Sequence, residues 1–192
     1  MQIKLLAISG SSRQGSVNLR LLNAAATMAR ALGAEVTSLD LRTLSLPLYD
    51  GDLEAAEGLP AGCIELKKAL VEHDALLIAS PEYNGFFSPL LKNAIDWASR
   101  PHDGQPSPFS GKLAGLLAAS PGALGGIRGL PAVRQLLSNI GVLVIPGQIS
   151  LPRAHEAFDA QGALLDKGQN QMLERMLNEL LVTAAAVKTN TG

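Results

Sequence analysis

The chain has 192 residues, 47% of them hydrophobic, with a formal net charge of -1 at neutral pH. Such a length and apolar share suit one domain, expected to span residues 1–192, with a sizeable core. The even charge, without a basic or acidic block, and an aromatic share of only 4% exclude a nucleic-acid groove, a single-strand stacking platform and an anionic-membrane footprint.

From the N-terminus, residues 3–9 read as a strand. Their apolar run is too short for a signal peptide, and no stretch reaches the length of a membrane span. A soluble, cytoplasmic protein is expected. Further strands are predicted over 35–41, 75–80, 113–119 and 142–145. The central ones are apolar nearly throughout, as parallel strands covered on both faces should be. Stripes at helical spacing separate them: Leu19, Leu22, Ala26 and Ala29; Cys63, Leu66 and Leu70; Leu91, Ala94, Ile95 and Ala98; Leu130, Val133, Leu137 and Ile140. A last stripe runs from Met172 through Leu173, Met176, Leu177, Leu180 and Leu181 to Ala184. Strands alternating with helices predict an α/β fold with a doubly wound parallel sheet.

Residues 43–60, 99–112 and 120–131 are rich in Pro, Gly and Ser. In a doubly wound sheet, ligands bind beyond the strand C-termini, where strand order reverses. The loops after the first, third and fourth strands are therefore the places to look for chemistry.

The first of these loops is Gly10-Ser11-Ser12-Arg13-Gln14-Gly15-Ser16-Val17-Asn18, running into a helix. A helix N-terminus offers free N–H groups and a favourable dipole to a phosphate. Ser11, Ser16 and Asn18 add side-chain donors, and Arg13 adds a charge-assisted one. The loop is not a Walker A motif, because Ser16-Val17 follow Gly15 where Lys and Ser/Thr belong. Nor is it a dinucleotide fingerprint, because Ser12 stands at the second glycine position. The same residues also suit an ordinary polar turn with Ser16 as helix N-cap. The concentration of donors favours the phosphate.

The second loop carries Pro81-Glu82-Tyr83-Asn84, a short gap, then Pro89, Leu91-Lys92-Asn93-Ala94-Ile95-Asp96-Trp97. Pro89 suits the first turn of the following helix. This run resembles the NAD(P)H-dependent FMN reductase family, which includes bacterial quinone and chromate reductases. The Gly10–Asn18 loop is similar to that family's phosphate loop, and Leu46-Pro47-Leu48-Tyr49-Asp50 to its segment after the second strand. Ser120-Pro121-Gly122-Ala123-Leu124-Gly125-Gly126-Ile127-Arg128 resembles its third flavin loop.

The resemblance implies a flavodoxin-like five-stranded sheet of order 2-1-3-4-5 with helices on both faces. It implies FMN as cofactor, with Ser11, Arg13, Ser16, Val17 and Asn18 at the phosphate. Pro81, Glu82, Tyr83 and Asn84 would line the isoalloxazine and ribityl chain, and Ser120, Gly122, Gly125 and Gly126 the ring edge. Glycines permit the close backbone approach that a flat ring needs. Arg128 and Arg100 are assigned to NAD(P)H or substrate, Arg128 alternatively to a neighbouring subunit. No residue is assigned as catalytic, since flavin N5 carries the chemistry: NADPH or NADH donates a hydride, then a quinone, free flavin, azo compound or chromate-like oxyanion takes the electrons. A homodimer or homotetramer is implied, with Phe86 and Phe87 as contact residues.

Plainer roles are expected elsewhere. Trp97 and Phe87 suit core or interface packing, Lys92 and Asp96 a surface pair four residues apart, and Glu82 a loop cap. Cys63, the only cysteine, forms no internal disulfide and suits buried packing on its apolar stripe. His73, His102 and His155 lie far apart in sequence, so neither a metal nor a catalytic histidine is expected. The rival function is an electron carrier without its own NAD(P)H oxidation. Such carriers are usually strongly acidic, which the net charge of -1 disfavours.

Overall fold

In the computed structural model, which describes residues 2–190, strand β1 (Lys4–Ser9) leads into helix α1 (Val17–Ala31) and returns through β2 (Glu35–Asp40). A long connection then carries α2 (Gly51–Glu57) and α3 (Ala61–Glu72) before β3 (Ala75–Ala79) and α4 (Pro89–Ala98). The rest follows as β4 (Leu113–Ala119), α5 (Gly129–Asn139), β5 (Leu143–Leu151) and α6 (Lys167–Asn190). The sheet has five strands in the order β2-β1-β3-β4-β5, with every pairing parallel. This is the flavodoxin-like order, whose reversal point lies between β1 and β3.

Every residue of β3 and β4 is buried, as a central parallel strand requires. Alternation along β1 divides the core. Leu5 and Ala7 pack with α1 and α6, while Leu6 and Ile8 pack with α3, α4 and α5. Among the described residues, no helix is long and apolar enough to cross a membrane.

Two elements differ from the sequence expectation. The fifth strand does not stop at Ile145 but continues to Leu151, through Pro146 and Gly147. The register shifts between Ala114 and Leu116 at that point, so the proline sits at an irregularity of an edge strand, where its missing N–H breaks no ladder. Helix α2 lies within the Pro-, Gly- and Ser-rich stretch 43–60, for which no element was expected. It buries no residue and so has no apolar stripe to announce it. It is set instead by its ends: Asp50 accepts from Asp52 N (2.8 Å) and Leu53 N, and Gly58 ends the helix at φ 76°.

The residues expected to be structural are so. Trp97 is fully buried and donates Nε1–H to Pro47 O at 2.8 Å, with its ring edge-on to Tyr49. Asn93 donates to Pro47 O and accepts from Tyr49 N, both at 2.8 Å, so α4 pins the segment around Pro47. Lys92 and Asp96 pair at 2.6 Å on the surface of α4. Cys63 is buried, its thiol pushed up by burial and bonded to Trp97 O. Lys67, one turn on, ends α4 by donating to Ala98 O (2.8 Å) and Arg100 O (2.6 Å), and burial lowers its ammonium below the ordinary lysine range.

Candidate functional site

Three loops meet beyond the C-terminal ends of β1, β3 and β4. The first turns sharply after Ser9, where Gly10 N donates to Ala79 O at 2.8 Å. A Cβ on Gly10 would lie 3.1 Å from Leu91 Cβ, so α4 approaches this turn closely. Ser16 is the N-cap of α1 and accepts from Leu19 N at 3.3 Å. The N–H groups of Val17 and Asn18, in the first helical turn, have no intrahelical acceptor. Ser11 and Ser16 are buried, and their hydroxyl oxygens accept from Arg13 N and Leu19 N respectively. Neither hydroxyl proton has an acceptor among the described residues. The Arg13 side chain is exposed and makes no hydrogen bond or ion pair among those residues. Free donors, one formal positive charge and the positive end of α1 therefore share one short loop.

Asn18 is held differently from the expectation. Its side chain is 3% exposed and bonds Ala119 twice: Nδ2 donates to Ala119 O and Oδ1 accepts from Ala119 N, both at 2.9 Å. The amide thus extends the end of β4 like a strand edge and ties the first loop to the third. One of its two N–H donors is used up in doing so.

The second loop, residues 80–88, is built around a two-residue hairpin. Tyr83 N donates to Phe86 O (2.9 Å) and Phe86 N to Tyr83 O (3.0 Å), with Asn84 and Gly85 at φ 54° and 83° between them. Two successive left-handed residues make an Asn-Gly turn of the type that hairpins favour. The hairpin displays Tyr83 and Phe86 to solvent, while Phe87 packs against the core. Pro81 is buried at its base. The loop closes on Ser88, which was not singled out from sequence. Its buried hydroxyl donates to Gly10 O and accepts from Leu91 N at 3.2 Å, capping α4. Serine directly before Pro89 was the signal available for it.

Glu82 turns to the third loop. Its carboxylate accepts from Arg128 N (3.0 Å), Gly129 N (3.3 Å) and Arg128 Nε (2.8 Å). The expected cap is real, but it caps α5 rather than its own loop.

In the third loop, Gly125 and Gly126 have φ of 60° and 84°. A Cβ on Gly125 would lie 2.7 Å from Leu151 C, and one on Gly126 2.9 Å from Ala118 Cβ. The loop's own packing on β4 and β5 therefore already demands both glycines. Gly122 differs: its nearest neighbour would be Ser120 Oγ at 3.7 Å, which leaves its surface open. Ser120 is half-buried; its hydroxyl donates to Gly122 O, its N–H donates to Leu151 O at the end of β5, and its carbonyl accepts from Ala154 N.

Arg100 does not join this set. It follows the C-terminal end of α4, about 15 Å along the helix from Ser88 at 1.5 Å per residue. Its guanidinium stacks on Tyr49 (5.2 Å) and donates to Asp96 O. Tyr49 is thus its packing partner within this chain. Among the described residues, no group of three or more His, Cys, Asp or Glu residues could hold a metal.

A family model described as NADPH-dependent FMN reductase matches residues 3–156. The chain is 41% identical over 180 residues to an NAD(P)H-dependent FMN reductase of Pseudomonas aeruginosa, covering 93% of each chain. It is 35% identical over 195 residues to an NAD(P)H:quinone oxidoreductase of Solanum tuberosum, covering 97% of this chain and 95% of that one. Among solved structures it is similar to FerB, a flavoenzyme NAD(P)H:(acceptor) oxidoreductase from Paracoccus denitrificans. The TM-score is 0.83 at 26% identity, over 96% of this chain and 98% of that chain.

Proposed function

The chain belongs to the NADPH-dependent FMN reductase family, and from that premise we propose that its three loops hold FMN and that it passes electrons from NAD(P)H to a quinone. The observation that carries the reading is the uncommitted donor set of the first loop, placed at the reversal point of the sheet. The Ser11 and Ser16 hydroxyls, the Arg13 guanidinium and the first N–H groups of α1 are what a phosphate dianion requires. Bound FMN supplies two-electron chemistry between reduced nicotinamide and an acceptor.

The chain's own residues bind and orient. Arg13 neutralises phosphate charge at the solvent side of the loop. Pro81 and the Tyr83–Asn84 turn form one wall, and the open surface of Ser120 and Gly122 the other. Arg128 takes an anionic part of the nucleotide donor. Free flavins, azo compounds and oxyanions such as chromate are further acceptors that a shallow, solvent-facing site admits. A homodimer or homotetramer in the cytoplasm completes the reading. Phe86, 60% exposed at the hairpin tip, is the contact residue we assign to it, in place of the core-packed Phe87.

The test is steady-state kinetics on FMN-loaded protein with NADPH and NADH against a panel of quinones, flavins and oxyanions. Parallel initial-rate lines with a quinone are expected, because donor and acceptor use one site in turn. Intersecting lines overturn the shared site. Protein that leaves both nucleotides unoxidised, yet takes electrons from a partner reductase, is a carrier and overturns the proposal.

A further inference from the structure

Helix α5 begins with no cap of its own. Arg128, its N-cap residue, has helical φ and ψ and offers no side-chain cap bond. The N–H of Arg128 goes to Glu82 Oε2, supplied from the loop after β3, and the N–H of Gly129 is shared between the same oxygen (3.3 Å) and Gly126 O (3.2 Å). Glu82 Oε1 takes Arg128 Nε at 2.8 Å and Nη2 at 2.5 Å. The carboxylate side chain is 8% exposed and the arginine side chain 65%. One edge of the guanidinium fork is therefore fixed by a buried acid, and the rest of its donors face solvent.

The arrangement is built into the backbone. A Cβ on Gly129 would lie 3.3 Å from Glu82 Cβ and 3.1 Å from Phe86 O. One on Gly126 would lie 3.8 Å from Glu82 Cβ. The Glu82 stem runs where these two glycines carry no side chain. A free surface pair between long side chains is floppy and contributes little. Here the acid is buried and shared with two helix N–H groups, so the guanidinium is oriented before any ligand arrives.

We infer that Glu82 is a positioning residue for the nucleotide donor: it holds Arg128 so that the open edge of the guanidinium receives a donor phosphate. The inference rests on the functional reading above and assigns Glu82 to Arg128 rather than to the flavin. It also places the acid and the arginine in one unit, so the two act together.

The experiment is a double-mutant cycle of Glu82→Gln, Arg128→Ala and the pair. It reads KM and kcat for NADPH and NADH, the FMN dissociation constant from flavin fluorescence, and the urea midpoint of the apoprotein. Arg128→Ala is expected to raise the nucleotide KM roughly tenfold, the loss of one charge-assisted hydrogen bond. Glu82→Gln is expected to raise it severalfold, with the loss falling on KM rather than kcat, and to add nothing in the Arg128→Ala background. Arg128→Lys is not expected to rescue, since lysine lacks the fork. The inference is overturned if Glu82→Gln shifts KM equally with and without Arg128, or if it acts only on the FMN dissociation constant and the apoprotein midpoint. Wild-type turnover with a KM unmoved by Arg128→Ala overturns it while leaving the functional reading intact. A wild type inert towards both nucleotides overturns the two together.

Discussion

Replacing Asn18 by alanine separates two roles that one residue can hold in this loop. The amide makes two hydrogen bonds to Ala119 at 2.9 Å, and both residues are 3% exposed. Truncation leaves a buried N–H and a buried C=O without partners, at about 1–3 kcal/mol each. Water reaching these groups from solvent offsets part of this, which puts the expected loss at roughly 2–4 kcal/mol. For a chain of this size, that lowers the melting temperature by about 5–15 °C. Asn18→Asp should be at least as damaging. It keeps an acceptor for Ala119 N but sets a carboxylate against Ala119 O and beside the phosphate loop. The assay is urea unfolding of the apoprotein followed by FMN titration. Apo Asn18→Ala protein that unfolds within about 0.5 kcal/mol of wild type while losing FMN affinity refutes the tie and returns Asn18 to the phosphate.

Arg13→Ala is expected to do the reverse, weakening FMN binding by roughly 1–3 kcal/mol and leaving apoprotein unfolding unchanged, because the side chain is exposed and unpaired among the described residues; an unmoved dissociation constant would place the phosphate elsewhere. Gly125→Ala should cost about 2 kcal/mol or more of stability through its left-handed φ and backbone crowding, whereas Gly122→Ala should leave the urea midpoint in place. Similar midpoints for both would contradict the packing argument. Asp74 is pulled upward by desolvation, but hydrogen bonds from Lys188 and Lys4 N, with the charges of Lys188 and Lys112, outweigh it and hold the carboxyl below its ordinary range. A lowered folded-state value contributes stability above the unfolded pKa of about 4 and loses it as pH falls through the folded one. Asp74→Asn should therefore be less stable than wild type at pH 7, with the gap closing in acid; an equal gap at both pH values counts against it.

Much of this architecture was legible in sequence because its signals are local. Apolar runs such as Leu113 to Ala119 and stripes such as Leu91, Ala94, Ile95 and Ala98 depend on nothing beyond a few neighbours. The donors of the first loop were legible for the same reason. What escaped depends on distant partners or on context. Pro146 and Gly147 read as the end of a strand, and only an edge position lets the strand run through them. Gly125 and Gly126 read as room for a ring, while the residues that require them, Ala118 and Leu151, are visible only in the fold. Asn18 and Glu82 read as ligand contacts because both are polar and sit in the right loops. The fold adds what the sequence does not show: the Asn18 amide bonds Ala119 twice, and the Glu82 carboxylate caps α5. Arg100 was assigned to NAD(P)H or substrate, and its place at the C-terminal end of α4, stacked on Tyr49, is visible only in the fold.

The three loops are joined pairwise: Asn18 to Ala119, Ser88 to Gly10, and Glu82 to Arg128. These links bridge 101, 78 and 46 residues of chain. None can form while β1, β3 and β4 are unpaired, because loop-closure entropy opposes contacts of such span until the strands have met. The site where the loops meet is thus among the last features to assemble during folding. A nascent chain released before β4 has no complete site to offer, and acquisition of yellow flavin colour should mark the moment when the central sheet is finished.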